Sequence, residues 1–354
     1  MMRTIPARLW WVALVVAVAA VALGGCGGRE AEVGEPPAKP PEEQEPTSVP
    51  PQEPIIFCPL DGQQATSDAV SRRPLVVVID NHPRARPQSG LEHACIVYEM
   101  PVEGGFTRLL AVYLHAQAPL VGPVRSARHY FIDWTLEHRG ILCHVSGSPQ
   151  AKEQIAAMKV DDLDDFRGNQ GFWRLESRSA PHNLYCSTAS LRDAARRQGY
   201  DRPGLWPSCG FSFSRDREPV GDQAATVHIT HSPSYSVTYR YDADAGRYLR
   251  FVNDQPHRTD TGQQLAVANV VCLWVPVSPI PGDPEGRLDV DLTGQGRALV
   301  FNRGIRREAR WVRLRREGPT ALLDAKGEPV FLSPGPVWVH VLPRTADVKS
   351  GGGS

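Results

Sequence analysis

The chain has 354 residues, and 39 basic side chains balance 39 acidic ones, so its formal net charge is zero. Without residues 1–25, which hold two arginines and no acid, 37 basic and 39 acidic side chains remain. This balance excludes the strongly basic surface that nucleic acids or anionic lipids require, so we expect no nucleic-acid partner.

The N-terminus predicts a lipoprotein signal peptide over residues 1–25. Arg3 and Arg8 precede an unbroken apolar run at 9–23, which is short for a membrane span and typical of a secretory signal. The stretch LGGC then resembles the bacterial lipoprotein signal, in which the peptide is cut before Cys26 and the thiol is lipidated. The alternatives are an ordinary secreted protein and an uncleaved anchor. We expect a lipid anchor, palmitate included, at the extracytoplasmic face of the cell membrane.

Both ends of the mature chain are predicted to be flexible. Residues 26–54 are rich in Pro and Glu, contain no aromatic residue after Cys26, and indicate a disordered tether. The end of the chain, 346–354, is predicted to be a flexible tail because it runs into KSGGGS. About 290 residues lie between, enough for two ordinary domains.

The first domain is predicted to be α/β, with a mixed sheet, over residues 70–212. Strand-like runs alternate with helical ones in this part of the chain. The predicted strands are PLVVVID (74–80), ACIVYEM (94–100), FTRLLAVYLHA (106–116) and ILCHVSG (141–147); the predicted helices are 127–139, a segment from Pro149, and 187–199. Ser148 and Ser187 are suited to cap the last two helices.

The second domain is predicted to be smaller and β-rich, over residues 223–345. Short alternating runs such as YSVTYRYD, ANVVCLWVPV and PVWVHVL are separated by turn residues. Residues 200–222 are rich in turn formers and predict a connection between the two domains.

The cysteines suggest neither a disulfide framework nor a metal site. Six follow Cys26, at positions 58, 95, 143, 186, 209 and 272, and no two are spaced as CxxC. An even number outside the cytoplasm permits disulfides. Cys95, Cys143 and Cys272 lie in apolar runs and are interpreted as small buried hydrophobes. We expect no metal and no cofactor.

Long motifs then identify a family. The stretches VVVIDNHPRARPQSGLEHACIVYEMPVEGGFTRLLAVYLH, GPVRSARHYFID, HVSGSPQA and SRSAPHNLY, with RYLRFVNDQPHRTDTGQQLAVANVV later in the chain, resemble the YerB-like family of bacterial envelope lipoproteins. The resemblance covers nearly the whole folded chain and implies a motif-bearing N-terminal domain and a smaller C-terminal one. It implies family and location, not activity, because the family is a domain of unknown function. Cys186 stands where the family pattern has Thr, which argues against a nucleophilic thiol.

Two arginines mark the stretch GPVRSARHYFID. Arg125 and Arg128 are three apart at a loop that leads into a predicted helix, and would share a side if the helix began there. Guanidiniums beside a helix N-terminus suit phosphate or carboxylate. The alternative is a structural clamp, in which they pair with Glu99, Glu103 or Asp133.

Other polar residues lie at predicted strand ends and helix starts, which share one edge of an α/β sheet. We therefore predict one anion-binding cleft. Its candidate residues are Asp80, His82, Glu103, Arg108, Arg125, Arg128, His144, Ser146, Ser148, His182 and Asn183. The Asp80-Asn81-His82 stretch also suits a turn. Glu99 and Glu103 could hold a metal, act as acid and base, or pair with arginines; ion pairing is favoured.

Several chemistries are disfavoured. There is no GxSxG, P-loop or GxGxxG, and no cysteine in the context used by L,D-transpeptidases. Zinc binding by His82, His144, His182 and His257 lacks any ligand spacing. A Cys186–His182 pair would need a helix where the sequence indicates a loop.

A second resemblance rests on layout. A strand ending in Asp80, an arginine pair before a helix, and a strand entering HVSGS are similar to LytR–CpsA–Psr phosphotransferases, which move anionic polymers from a lipid pyrophosphate to the wall. Their Arg-Ser-Asp signature is absent. The catalytic residues are therefore unknown, and whether the chain is an enzyme stays open.

Three functions follow as hypotheses. The first is a non-catalytic lipoprotein that binds or regulates peptidoglycan, an anionic wall polymer or a wall-synthesis protein. The second is an enzyme acting on an anionic envelope glycolipid or polymer. The third is a transporter's substrate-binding lipoprotein, which is disfavoured because the second half lacks a matching α/β lobe.

Overall fold

The computed structural model describes residues 55–168, 170–202 and 209–352. The predicted signal peptide, the lipidated Cys26 and the tether over 26–54 lie outside the described residues. None of the helices in the described part is long and apolar enough to cross a membrane.

The described residues contain four α-helices. They are α1 Ser67–Ser71, α2 His129–Glu137, α3 Pro149–Ala157 and α4 Thr188–Arg197. The Ser148 hydroxyl caps α3 by accepting the Ala151 N–H at 3.1 Å. Ser187 and Ser190 form a reciprocal capping box at the start of α4. These caps are local features, and the sequence predicted all three of the longer helices.

The other long regular elements of the described residues are strands. In chain order they are β1 Ile56–Phe57, β2 Gln64–Ala65, β3 Leu75–Asp80, β4 Ile96–Pro101, β5 Thr107–Tyr113, β6 Ile141–His144, β7 Asp162–Asp164, β8 Phe172–Arg174, β9 Leu184–Cys186, β10 Ser212–Phe213, β11 Asp222–Gln223, β12 Thr226–Ser232, β13 Tyr235–Asp242, β14 Arg247–Val252, β15 Gln255–Pro256, β16 Ala266–Val267, β17 Asn269–Val275, β18 Val277–Pro279, β19 Leu288–Val290, β20 Gly294–Asn302, β21 Ile305–Arg313, β22 Ala321–Leu323, β23 Phe331–Leu332, β24 Val337–Pro343 and β25 Val348–Gly351.

One mixed sheet runs through both halves of the chain. Its order is β11-β21-β20-β17-β24-β4-β5-β3-β6-β7, with β22 beside β21. The two halves meet where β24 pairs in parallel with β4, in a register that sets His340 against Glu99. The mixed α/β class and the β-rich second half are confirmed. The boundaries at 212 and 223 stay a prediction, and the sheet continues across them.

The central strands are buried on both faces, which explains their continuous apolar sequences. Along β3, Leu75, Val77 and Ile79 face the side covered by α4 and by a second sheet of β12, β13 and β14. Val76 and Val78 face the other side, with α2 and α3. The sheet is therefore the middle of three layers.

The end of the chain differs from expectation. The tail predicted to be flexible from residue 346 instead forms β25, which pairs antiparallel with β12 from Ile229–Val348 to Thr226–Gly351. Val348 packs against the core on that side. The strand forms because β12 is an edge with unpaired backbone groups, which outweighs the turn-forming composition of the tail.

Candidate functional site

Asp80 is the centre of the candidate site. It ends β3, is 3 % exposed, and lies opposite Arg108 of β5 in the sheet register. Its Oδ1 accepts the His82 N–H at 3.0 Å. Its Oδ2 lies 2.7 Å from His182 Nδ1 and 3.1 Å from Arg125 Nε. The carboxylate therefore joins three segments of the chain at the end of one buried strand.

Two histidines stack beside this carboxylate. The rings of His82 and His182 lie 5.0 Å apart at 17°, and Phe106, which is 41 % exposed, lies 5.0 Å from His82. Burial and the neighbouring His182 lower the pKa of His82, against the attraction of Asp80. Because Asp80 can only accept, His182 donates through Nδ1, and none of the described residues bonds to its Nε2. Nε2 is therefore the ring nitrogen of His182 that a ligand could contact.

Arg125 is the accessible cation of the site. Its side chain is 25 % exposed, its Nε forms the ion pair with Asp80, and its Nη1 donates to the Pro181 carbonyl at 3.3 Å. No described residue hydrogen-bonds its Nη2. Arg108, a neighbouring cation, is buried and donates from Nη1 to the Ser126 carbonyl at 2.9 Å. Its buried Nε has no hydrogen-bond partner among the described residues. Burial and the nearby Arg128 lower the pKa of Arg108 to about 10.

Arg128 has a different role from Arg125. It is the N-cap residue of α2 with an extended backbone, so the two arginines do not share a helix face. Its guanidinium makes two bonds to the Glu103 carboxylate, one of them 3.0 Å from Nε, and a third to the Ala127 carbonyl. Burial alone would raise the pKa of Glu103, but the bond and charge of Arg128 hold it below its ordinary value. Arg128 and Glu103 therefore form a clamp.

The loop at 144–148 is joined to residues 125–127 by backbone hydrogen bonds. Ala127 donates to the Ser146 carbonyl at 3.1 Å, and Ser148 donates to the Ala127 carbonyl at 3.1 Å. The His144 side chain instead contacts Asp162, with Nε2 3.0 Å from Oδ2. The Ser148 side chain is used as the cap of α3.

The side chain of Asn183, another predicted residue, also contacts a residue outside the predicted set. Asn183 accepts a bond from Arg174 at 3.1 Å. The structure thus gathers Asp80, His82, Arg108, Arg125 and His182, sets the Glu103–Arg128 clamp beside them, and directs the side chains of His144, Ser148 and Asn183 into other contacts.

The other anticipated pairings take different partners. Glu99 pairs with Arg250, their atoms 2.9 Å apart, and Asp133 pairs with Arg316, whose Nη2 lies 2.5 Å from Asp133 Oδ1. Cys186 is fully buried, and burial raises the pKa of its thiol well above the ordinary value. The structure therefore provides no activated thiol at this position.

A second polar cluster was not predicted. Glu99 and Arg250 are both fully buried, and Trp338 and Tyr235 also donate to the Glu99 carboxylate. Burial alone would raise the pKa of Glu99, but the charge of Arg250 holds it well below its ordinary value. His257 belongs here too, since its Nδ1 accepts from Arg250 at 3.0 Å. The sequence feature that could have indicated this cluster is Arg250 itself, because a cation at an inward position of β14 needs a buried partner.

This second cluster also contains a possible ligand set, Glu99 with His231 and His340. Both oxygens of Glu99 already accept bonds, from Tyr235 on Oε1 and from Arg250 and Trp338 on Oε2. A dication here would face the Arg250 guanidinium directly. The cluster is therefore suited to an ion pair that joins the second sheet to the main one.

Comparisons with known proteins agree with this architecture. The N-terminal domain of a protein family of unknown function, DUF3048, matches residues 60–201, and its C-terminal domain matches 226–339. A relative from Bacillus subtilis (strain 168), YerB, named as a candidate lipoprotein, is 34 % identical over 319 residues, which is 88 % of this chain and 94 % of YerB. The crystal structure of the Bacillus subtilis YerB protein aligns with a TM-score of 0.75 at 30 % identity, covering 83 % of this chain and all of that one.

Proposed function

The chain belongs to the DUF3048 family, and from that premise we propose that it is a lipid-anchored extracytoplasmic protein that binds an anionic group of cell-wall material at the Asp80 site. The relative YerB is named as a candidate lipoprotein, and the present chain carries the lipoprotein-type stretch LGGC at Cys26. A tether over 26–54, extended at about 3.1 Å per residue, would let the folded part reach wall material several tens of Å from the membrane.

The observation that carries the proposal is the partly exposed guanidinium of Arg125. Asp80 and the Pro181 carbonyl fix its orientation from one side, so the outward edge is held ready for a ligand. A planar guanidinium matches phosphate or carboxylate with two parallel bonds.

The charge of the surroundings favours an anion as well. Three guanidiniums, Arg108, Arg125 and Arg128, face two carboxylates, Asp80 and Glu103, so the site holds one excess positive charge when its histidines are neutral. Arg108 adds a buried cation whose Nε is unpartnered among the described residues. A ligand anion at Arg125 would balance this excess.

The proposal is tested by Arg125→Ala, with inorganic pyrophosphate as the probe in calorimetric titration. A desolvated charge-assisted contact contributes about 1.5–3 kcal/mol, so the affinity should fall at least about tenfold. Arg196→Ala is the matched control, because that arginine is exposed on α4 and pairs with Asp193. Equal affinities for the two variants would refute the anion site.

A hydrolytic or transfer activity is the second candidate, and one observation favours it. His182 is oriented by the Asp80 carboxylate through Nδ1, and its Nε2 has no hydrogen bond to any described residue, which is the arrangement of a general base. Cleavage of a lipid pyrophosphate-linked polymer by water into a polymer phosphate and a lipid phosphate, abolished in His182→Gln with pyrophosphate binding retained, would favour the enzyme over the binder.

A further inference from the structure

Four metal-ligand side chains meet at the end of the main sheet opposite to Asp80. Cys58, Asp61, Cys95 and His115 each offer one donor atom, and these atoms all lie within 4.8 Å of one another. Along β3 and β5, Asp80 pairs with Arg108 at one end and Leu75 with Tyr113 at the other, and His115 follows β5 at that second end. The group is therefore separate from the candidate anion site.

The fold presents these residues from three segments. Cys58 and Asp61 lie in the turn between β1 and β2, which is closed by bonds from the Cys58 N–H to the Gln63 carbonyl at 2.7 Å and from the Gly62 N–H to the Cys58 carbonyl at 2.8 Å. Gly62 has a φ of +67°, a conformation that suits glycine. Cys95 comes directly before β4, and its N–H donates to the Val112 carbonyl of β5 at 2.9 Å. Backbone bonds thus position three of the four residues.

Supporting bonds reach the donor atoms themselves. The Leu60 N–H points at Cys58 Sγ at 3.4 Å, as expected around a thiolate ligand. Within the set, His115 Nε2 lies 2.8 Å from Asp61 Oδ2, a contact that a bound ion would replace. From outside the set, the Gln63 N–H and side-chain amide donate to Asp61 at 3.1 and 2.9 Å. Outer contacts of this kind orient ligands and fix their basicity in metal sites.

We propose that Cys58, Asp61, Cys95 and His115 form a structural zinc site. Two sulfurs, one imidazole and one carboxylate are a four-ligand set that suits Zn²⁺, whereas calcium and magnesium prefer oxygen alone. Cys58, Asp61 and Cys95 are each 1 % exposed, and His115 is partly exposed, so the site is closed as structural zinc sites are. The ion would fasten the β1–β2 hairpin to the ends of β4 and β5.

The sequence pattern does not predict this group of ligands. Its members are spread over 58 residues with no CxxC or HxxxH spacing, and Cys95 was interpreted as a small buried hydrophobe. A Cys58–Cys95 disulfide is the competing use of the two sulfurs. Both are free thiols in the structure, and a disulfide alone would not explain why Asp61 and His115 converge on the two sulfurs.

The test measures metal in the full chain, purified in detergent with a thiol reductant. We expect about one zinc per chain by elemental analysis. Cys58→Ser should reduce the bound zinc at least about tenfold. Cys143→Ser is the matched control and should retain the metal, since Cys143 is a buried thiol in β6 that bonds to the Ile141 carbonyl.

Cobalt substitution keeps the proposal testable if Cys58→Ser does not fold. Co²⁺ added to the metal-free wild-type chain should give the intense visible bands of a tetrahedral site and a thiolate charge-transfer band, both removed by one equivalent of zinc. Failure of the reduced wild-type chain to bind zinc or to develop these bands would overturn the site. So would a Cys58–Cys95 disulfide in the isolated protein that takes up no metal after reduction. Neither result depends on whether Arg125 binds an anion.

Discussion

The buried carboxylate of Glu99 offers the sharpest test of how the two halves are held together. We predict that Glu99→Gln destabilises the protein by about 3–5 kcal/mol, because removal of one partner leaves the other buried charge uncompensated. Glu99 and Arg250 are both 0 % exposed, so water cannot replace the lost carboxylate. The glutamine keeps the shape of the side chain, and the loss therefore measures charge rather than packing.

Denaturant unfolding at pH 7 measures the change. Glu308→Gln is the matched control: Glu308 pairs with Arg306 on the surface, where its side chain is 56 % exposed, and its removal should cost about 0–1 kcal/mol. A loss below about 1 kcal/mol for Glu99→Gln would show that Arg250 is solvated or paired in another way, and would refute the reasoning.

The pH dependence gives an independent measurement of the same group. The charge of Arg250 outweighs burial and holds the pKa of Glu99 in the folded protein well below its ordinary value. The ionised Glu99 therefore contributes fully to the free energy of unfolding above the unfolded-state pKa of about 4.3, and this contribution is lost as the pH falls toward the folded-state pKa. The difference between wild type and Glu99→Gln should therefore shrink by about 1.8 kcal/mol between pH 7 and pH 3. A difference that is constant over this interval would contradict a depressed pKa.

Three further outcomes are expected. Arg128→Ala should lower the melting temperature, because it breaks the clamp with Glu103, and should weaken pyrophosphate binding in titration less than Arg125→Ala does; an equal or larger loss of affinity without destabilisation would reverse the roles of the two arginines. Cys26→Ala should release the protein from the membrane fraction or leave an unprocessed precursor on immunoblots, and unchanged processing and retention would refute lipidation. Proteolytic cleavage within 200–222 should give two fragments that elute together in native gel filtration, because β24 stays paired with β4; separate elution would show two independent cores.

The class of the fold was predictable because local pattern determines it. The run at 74–80 is continuous and β-branched, and it becomes the doubly covered strand β3. Ser148 and Ser187 are short-range capping signals, and both caps form. Such features depend on residues within a few positions of one another, which is the range over which a single sequence is informative.

The joining of the halves was not predictable from one sequence. Val337 of β24 pairs with Ile96 of β4 across a separation of more than two hundred residues. A continuous apolar sequence indicates that both faces of a strand are buried, but it does not show which strand pairs with it. The contact of Glu99 with Arg250 was unpredictable for the same reason, because each side chain alone is typical of a surface ion pair.

The arginine pair shows how a backbone detail decides a functional interpretation. The spacing of Arg125 and Arg128 favours a shared face only if the helix includes both, and α2 begins at His129. Arg128 therefore turns to Glu103, while Arg125 lies beside Asp80. The helix boundary is the least certain feature of a sequence-based prediction, and here it separates a clamp from a candidate ligand contact.

Asp80 and Asn81 connect the candidate anion site to the buried cluster that contains Glu99. Asp80 contacts His182 and Arg125, whereas the next side chain, Asn81, donates to Glu99 at 3.2 Å and to Tyr235 at 2.7 Å. Because successive residues of an extended chain point to opposite sides, the side chains of Asp80 and Asn81 reach different clusters. A variant of Glu99 is therefore expected to disturb Asp80 through Asn81, and its effect on ligand affinity would not separate stability from binding. Arg125 touches Asp80 without sharing a bond with Asn81, so its truncation is the change that isolates the proposed ligand contact.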